Sequence, residues 1–529
     1  MIGASLPTNA PVRNISVDTD NEPQIANKSR TVAAIDLGSN SFHLIVARLV
    51  GGEFRVIDRI KDRVRVGAGL DADGNLTLDA RKRALHSLRR FAERVHGLPA
   101  GNVRAVGTFT FRQARNAREF LEEGEAILGH PLEVISGEEE ARLVYQGVLY
   151  SSPPWFGRRL VIDIGGGSTE FVLGEGTDVL EAESTEMGCV SFSEKFFPDG
   201  VLSAKNFRRA VTAARVSMAG VEQSLKPLDW KVSIGTSGTM HAIATVLKSM
   251  GENTVTPRGL QKLRKRVIAA KAVQDLALPK LGEKRKQVLA GGLAILVAAF
   301  QSLKLATLDT CPGSLKEGVL WNLLGRLGDE DVRDSTIRRF ARHFQLDQEQ
   351  GFHVERTVLE LLQSTAKSWN LIGRPFRQML SWSARLYEIG LSVSHSGYHK
   401  HGEYLIRNSD MPGFSTDDQL ALAALVRGHR RKIPTKLLRQ VPHFTFNQAL
   451  RMCLLLRLAV VVNRRRRGSH APLVTLRVTD QILEVEISKE WLKRHALTRA
   501  ELVEEARYLE EFGYRLSLVH REVDAPVLG

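Results

Sequence analysis

The sequence predicts a mixed α/β chain in which two similar lobes face each other across a cleft, followed by a helical domain and a small α+β domain. Three observations predict this. An apolar run ends twice in an Asp, an apolar residue and a Gly, in VAAIDLGSNS (32–41) and VIDIGGGST (161–169), with the two aspartates 127 positions apart. From about residue 327 the texture changes to helical periodicity. Near 470 to 520 alternating runs, LVTLRV and ILEVEI, return around a single helix.

In chain order, residues 1–30 are rich in Asn, Pro, Thr and Asp without an apolar stretch behind a basic start, and read as a disordered tail rather than a signal peptide. The first lobe, 31–143, reads as strand, short turn, strand (NSFHLIVARLV), a Gly51-Gly52 turn and strand (EFRVIDRIKDRVRVG), then the strand VRAVGT and a helix near 111–128. In the second lobe, 144–326, RLVIDIGGG, STEFVLGEG and TDVLEAESTEMGCVSF repeat that layout with Gly174-Glu175-Gly176 at the turn, and KVSIGTSGT leads into a helix from about 239. The apolar stretch Val288 to Phe300 is shorter than the ~20 residues of a bilayer span and reads as a buried core helix. Helical patterns then fill 327–445, and 446–529 holds the small α+β domain.

A length of 529 residues is too long for one core and suggests three or four domains. The net charge of +15, concentrated in KLRKR (262–266), RGHRRK (427–432) and RRRR (464–467), favours a polyanionic partner: nucleic acid, an anionic membrane surface or polyphosphate. An aromatic content of 6% is sparse for a single-strand stacking platform, so no specific nucleic acid is expected. Cys189, Cys311 and Cys453 match no zinc or redox spacing and suit a reducing cytoplasm, each in a core role.

Turns such as DLGSN and DIGGGS carry little side-chain bulk, so their N–H groups can approach phosphoryl oxygens closely. Gly38, Ser39 and Asn40 on one side, and Gly165, Gly166, Gly167 and Ser168 on the other, could therefore clamp one phosphate chain. Asp36 and Asp163 would sit at strand ends beside it, where carboxylates serve to hold Mg²⁺. The competing role for both is stabilising a turn. Pairing of the two motifs with a third glycine loop at a strand-to-helix junction, Gly235, Ser237 and Gly238 among its residues, favours the phosphate reading.

In VISGEEEARLVYQGV (134–148), Ser136 and Glu139 have capping-box spacing, Glu138 complements a helix dipole, and Glu140 is left to reach the cleft as a general base for water. In GTFTFRQARN, Arg112 lies near a helix start, where Thr110 and Gln113 also have capping-box spacing and an anion could be bound.

Together AAIDLGSNSFHLIVARL, VGTFTFRQARN, ISGEEEARLVYQGV and VIDIGGGSTEFVLGE resemble the bacterial exopolyphosphatase and guanosine pentaphosphate phosphohydrolase family, of the actin, heat-shock ATPase and sugar-kinase fold. The resemblance extends through SLKEGVL (314–320), GLSVSHSGYHKH (390–401) and LVRGHRRK (425–432). It implies two actin-like (ribonuclease H-like) lobes, an HD-like helical domain and the small α+β domain. It also implies Glu140 as the catalytic glutamate, Arg112 as a phosphate contact, Gly165 to Ser168 as the phosphate loop, and Mg²⁺ near Asp163 with Asp36 opposite.

The activity it implies first is exopolyphosphatase, the Mg²⁺-dependent release of terminal orthophosphate from inorganic polyphosphate. The alternative is a guanosine pentaphosphate 5′-phosphohydrolase; a sugar kinase and a nucleotide-switched binding protein are the more distant rivals. A homodimer in the cytoplasm is expected, with peripheral contact to the anionic inner membrane compatible with the basic clusters. In the HD-like domain His353, His395 and His429 are the candidate metal ligands, but Tyr387-Glu388 stands where a His-Asp pair would fall, which argues for a scaffold and polyanion-binding wall.

Overall fold

Residue parity along one strand organises the first lobe. In the computed structural model, which describes residues 30–50, 53–152, 157–327, 331–465 and 474–521, β1 (Arg30–Leu37) sends Ala33, Ile35 and Leu37 into one core and Val32 and Ala34 into another. A strand covered on both faces loses the polar alternation of an exposed one, and VAAIDLG accordingly reads as an almost unbroken apolar run.

β2 (Phe42–Val50) and β3 (Glu53–Asp62) extend the sheet antiparallel from β1. On the other side β4 (Val103–Gly107) and β5 (Leu132–Val134) run parallel to it, giving the order β3-β2-β1-β4-β5. The second lobe repeats this with β6 (Arg158–Ile164), β7 (Thr169–Glu175) and β8 (Asp178–Thr185). After the short β9 (Val201–Leu202), β10 (Val232–Thr236) joins parallel to β6. β11 (Lys271–Ala272) pairs with β9, and β12 (Asp309–Thr310) completes the order β12-β10-β6-β7-β8. The duplicated hairpin thus sits at the same place in two sheets of like topology; its Gly51-Gly52 turn and the tail before residue 30 lie outside the described residues.

Helices Leu78–Val95 and Ala117–Leu128 cover the outer face of the first sheet, where Leu85, Leu88, Phe91, Phe120 and Leu128 meet Ala33, Ile35 and Leu37. The helix expected over 111–128 arrives as two pieces, Phe109–Gln113 and Ala117–Leu128. Asn116 explains the break: its side chain accepts from the Leu76 N–H at 2.8 Å and donates to the Leu76 carbonyl at 3.1 Å, holding the chain off the helical path.

Between the sheets lie helices Gly137–Ser151 and Leu315–Leu327, in a core that draws Val32, Ala34 and Ile45 from one lobe and Val161, Val172 and Ile234 from the other. They approach backbone to backbone. A β-carbon on Gly318 would overlap the Leu143 carbonyl, and one on Gly147 would overlap that of Ser314. In the second lobe, helix Glu283–Ser302 is buried throughout Val288 to Phe300, and no helix among the described residues is long and apolar enough to cross a membrane.

Six longer helices from Val332 to Val462 pack around Trp369 and Trp382. Their core continues without interruption into a three-stranded sheet of β13 (Thr475–Thr479), β14 (Ile482–Ser488) and β15 (Arg515–Arg521). Of the basic clusters, KLRKR lies on helix Pro257–Ala269 and RGHRRK at the end of Thr416–Gly428, while only Arg464 and Arg465 of the 464–467 run are described.

Gly318→Ala is expected to destabilise the protein by about 1–3 kcal/mol or more, because neither helix backbone can yield a methyl group's width. A urea midpoint unchanged from wild type would refute the close approach.

Candidate active site

Strand pairing fixes two rows of side chains at the mouth of the cleft. Asp36 on β1 stands opposite His43 on β2, which stands opposite Lys61 on β3. In the second lobe Asp163 on β6 stands opposite Glu170 on β7, which stands opposite Ser184 on β8. His43 Nδ1 lies 3.1 Å from Asp36 Oδ2, and Ser184 Oγ donates to Glu170 Oε1 at 3.0 Å. The duplication therefore offers acid, imidazole and ammonium on one wall, and two acids with a hydroxyl on the other.

The loops after the two aspartates meet. A β-carbon on Gly166 would come within 3.1 Å of the Ser39 Cβ and 3.2 Å of the Asn40 Cβ, so glycine is what lets the second loop close onto the first. Around this junction lies a cavity of about 260 Å³ whose lining includes Asp36, Gly38, Ser39, Asn40, Glu140, Asp163, Gly165, Gly166, Ser168, Ser237 and Gly238.

Three expected residues lie elsewhere. Gly167 is needed by Phe109, whose ring fills the space a β-carbon would take, and Gly235 by Leu308 and Met240, so both glycines serve packing. Arg112 is absent from the lining: its Nη1 donates at 2.9 Å both to Glu140 Oε2 and to the Ile135 carbonyl. The guanidinium thus holds a carboxylate within the protein.

Glu140 comes from the first turn of helix Gly137–Ser151, on the floor between the lobes. Half of the expected capping box exists there. Ser136 Oγ accepts from the Glu139 N–H at 3.1 Å, but the Glu139 carboxylate turns away to Arg142 and to the Gly413 N–H. The second expected box is absent: Thr108 caps helix Phe109–Gln113 without a side-chain hydrogen bond, Thr110 is buried within it, and Gln113 donates to Glu186 at 2.8 Å. Ser237 holds φ at 90°, a strained value for a residue with a β-carbon, and its Oγ donates to the Ile164 carbonyl at 3.0 Å.

Four carboxylates share this small space. Burial raises Glu140 above the ordinary carboxylate range, Arg112 opposing and Asp36 adding to the rise. Burial, then Glu140 and Asp36, push Asp163 up to about 7. Glu170, 2% exposed, goes up through burial, Glu140 and Asp163. Cations face them: Lys61, Arg285 and Lys316 line the same cavity, and Lys61 is lowered by burial and by the charges of Arg285 and Lys316. Gly238 makes room for one of them, since a β-carbon there would overlap the Arg285 guanidinium. Carboxylates and cations pressed together suit a ligand carrying both a divalent cation and several phosphoryl groups.

Sequence reasoning missed Glu170, His43, Lys61, Arg285 and Lys316. Aligning the repeats on their aspartates would have marked two of them, since Glu170 follows Asp163, and His43 follows Asp36, at the same interval. Lys316 lies within SLKEGVL, whereas Lys61 and Arg285 carry no local signal.

Cys189, Cys311 and Cys453 are unpaired and buried; Cys453 is pushed up to about 12 by burial, whereas Cys189 also lines the cavity, beyond its expected core role. In the helical domain the three histidines do not converge. His429 is buried, with Nδ1 2.6 Å from the Val426 carbonyl oxygen and Nε2 3.2 Å from the Tyr398 hydroxyl. His353 lies 3.7 Å from Glu349, and His395 lines a separate cavity of about 300 Å³ with Gln350, Tyr387, Glu388, Arg430 and Arg464.

Comparison with known proteins gives this arrangement a family. Residues 45–327 match the model described as the Ppx/GppA phosphatase family, and residues 332–506 match its domain III. A protein of Pseudoalteromonas translucida named guanosine-5′-triphosphate,3′-diphosphate pyrophosphatase is 37% identical over 499 residues, covering 93% of this chain and 99% of its own. A protein of Aeromonas hydrophila with the same name is 37% identical over 494 residues, with the same coverage. An exopolyphosphatase structure from Cytophaga hutchinsonii aligns with a TM-score of 0.51 at 24% identity, over 56% of this chain and 98% of its own, a likeness of fold. The chain belongs to the Ppx/GppA phosphatase family and is a hydrolase of phosphoanhydride bonds.

Proposed function

We propose that the protein is a guanosine pentaphosphate 5′-phosphohydrolase, which removes the terminal orthophosphate of the 5′-triphosphate by attack of water at phosphorus. The observation that carries this choice is 37% identity along 93% of the chain to two proteins named for guanosine-5′-triphosphate,3′-diphosphate. Inorganic polyphosphate, which the sequence put first, becomes the second substrate: its terminal phosphoanhydride presents the same bond to the same cleft.

In the proposed reaction the Glu140 carboxylate takes a proton from the attacking water, with burial raising its affinity for that proton and Arg112 fixing its orientation. Loop N–H groups of 38–41 and 165–168 would receive phosphoryl oxygens. Lys61, Arg285 and Lys316 would balance the charge that moves onto the leaving phosphate.

The site suits Mg²⁺. Asp36 Oδ1 is buried without a protein partner, and Asp163 is strained by neighbouring negative charge. Among the described residues no three His, Cys, Asp or Glu side chains gather closely enough to hold an ion alone. Asp36 and Asp163 would therefore hold Mg²⁺ jointly with water and phosphate oxygens, as that ion prefers, and it would supply charge neutralisation.

Orthophosphate release should need Mg²⁺ and be faster from guanosine pentaphosphate than from long-chain polyphosphate, and Glu140→Ala should lower kcat by about 10²–10⁴-fold. Faster release from polyphosphate would restore the other substrate, and full activity in Glu140→Ala would remove the assigned base.

The carboxylates also give stability a pH signature. Asp163 is raised from 3.8 to about 7 on folding, so the folded protein binds more protons than the unfolded chain in that window and loses stability as pH rises through it. Thermal melts in chelator should show a melting temperature falling across this window and a shallower fall in Asp163→Asn. Saturating Mg²⁺ should flatten the wild-type dependence; a slope unaffected by both the ion and the mutation would contradict the shared carboxylate site.

A further inference from the structure

We propose that Glu139 is a positioning residue for Glu140, through which a loop of the helical domain holds the first turn of the catalytic helix. The proposal rests on the reading of Glu140 as the base. Glu139 precedes it directly and is 1% exposed, yet it lies outside the cavity lining. Its Oε2 accepts from Arg142 Nε at 2.6 Å and from the Gly413 N–H at 2.8 Å, and its Oε1 accepts from Arg142 Nη2 at 2.8 Å. Arg104 Nη2 stands 3.6 Å from Oε1.

Gly413 belongs to the turn that leads into helix Thr416–Gly428. Its peptide groups are gripped from two elements, for Arg326 Nη2, on helix Leu315–Leu327, donates to the Gly413 carbonyl at 2.9 Å. The turn has little freedom to follow a displaced helix. Gly413 has a φ of 88°, where a β-carbon would be strained and would meet Arg333 Cγ at 3.0 Å. Two further contacts tie the same turn to the same stretch. Glu138 lies beside Asp410, burial and that neighbour raising it to about 9, and Thr416 Oγ1 donates at 3.1 Å to the carbonyl of Val134, just before the helix.

A helix start lacks intrahelical acceptors for its first N–H groups, so the turn carrying Glu140 depends on outside contacts for its position. Residues 138 and 139 face the helical domain and residue 140 faces the cavity; what fixes the first two aims the third. Loss of the grip should loosen the 2.9 Å Arg112–Glu140 contact, which opposes the burial that favours protonated Glu140. The acid limb of the kcat profile should then move to higher pH.

The test uses the full-length chain, guanosine pentaphosphate and Mg²⁺, with kcat and KM measured across the acid limb. Glu139→Gln keeps an acceptor for the Gly413 N–H but loses the charge facing Arg142; Glu139→Asp keeps the charge but falls one methylene short of Gly413; Glu139→Ala loses both. Ala and Asp are expected to lower kcat by about 10- to 100-fold with KM little changed and the limb shifted upward. Gln is expected to melt at a lower temperature, yet keep the wild-type limb and most of kcat. The proposal is overturned if no variant moves the limb, if losses of kcat match only the folded fraction seen by circular dichroism, or if Gln shifts as far as Ala while Asp does not. Should Ala fail to fold, the contrast between Asp and Gln decides alone. Glu140→Gln runs alongside: if it stays active, the base is misassigned, a result separate from any effect at Glu139.

Discussion

Two helices crossing at glycine-to-carbonyl distance support everything else in this protein. Helix Gly137–Ser151 brings Glu140, and helix Leu315–Leu327 begins with Leu315 and Lys316 at the same cavity. Gly147 and Gly318 allow each backbone to lie against the other, and apolar side chains from both sheets close around the pair. The two lobes thereby share one core, and Glu140 is seated on the element common to both. A larger side chain at either glycine would move the site as well as weaken the core.

Around this seat the protein concentrates charge that a folded chain ordinarily separates. Asp36, Asp163, Glu170 and Glu140 lie with Lys61, Arg285 and Lys316 on one small cavity. Burial makes Asp163, Glu170 and Glu140 reluctant to ionise, and neighbouring negative charge adds to it. Such a cluster detracts from stability by itself, and a cation with phosphoryl oxygens would offset that cost. The network behind helix Gly137–Ser151 behaves differently. Glu133 is held down to about 2, burial being outweighed by Arg326 and Arg104, and Glu139 is held down likewise by Arg142. Glu133 and Glu139 are thus paired within the protein, whereas the acids on the cavity side crowd one another.

The sequence displayed the parts of this design that are local. Both Asp-x-Gly hairpins, the strand-to-helix junction at Gly235 to Thr239 and the buried helix at 288–300 are short patterns whose physics is contained in a few neighbours. The shape of the second half followed from periodicity for the same reason. What was hidden depends on distant approach. Gly167 and Gly235 look like phosphate-loop glycines, but Phe109 and Leu308 are what require them. Arg112 looks like an anion contact, and only the fold shows that it also holds Glu140. Thr110 and Gln113 have the spacing of a cap, but the helix begins two residues too early for it, with Thr108 in the cap position. Arg285 and Lys61 come from a helix and an edge strand with no motif around them, so their convergence is a property of the assembled lobes alone.

Gly166 and the Ser39–Asn40 segment join the tips of two hairpins that belong to different lobes. A side chain at Gly166 would have to push one hairpin away from the other, so a single methyl group there would part the two lobes at the cavity they share.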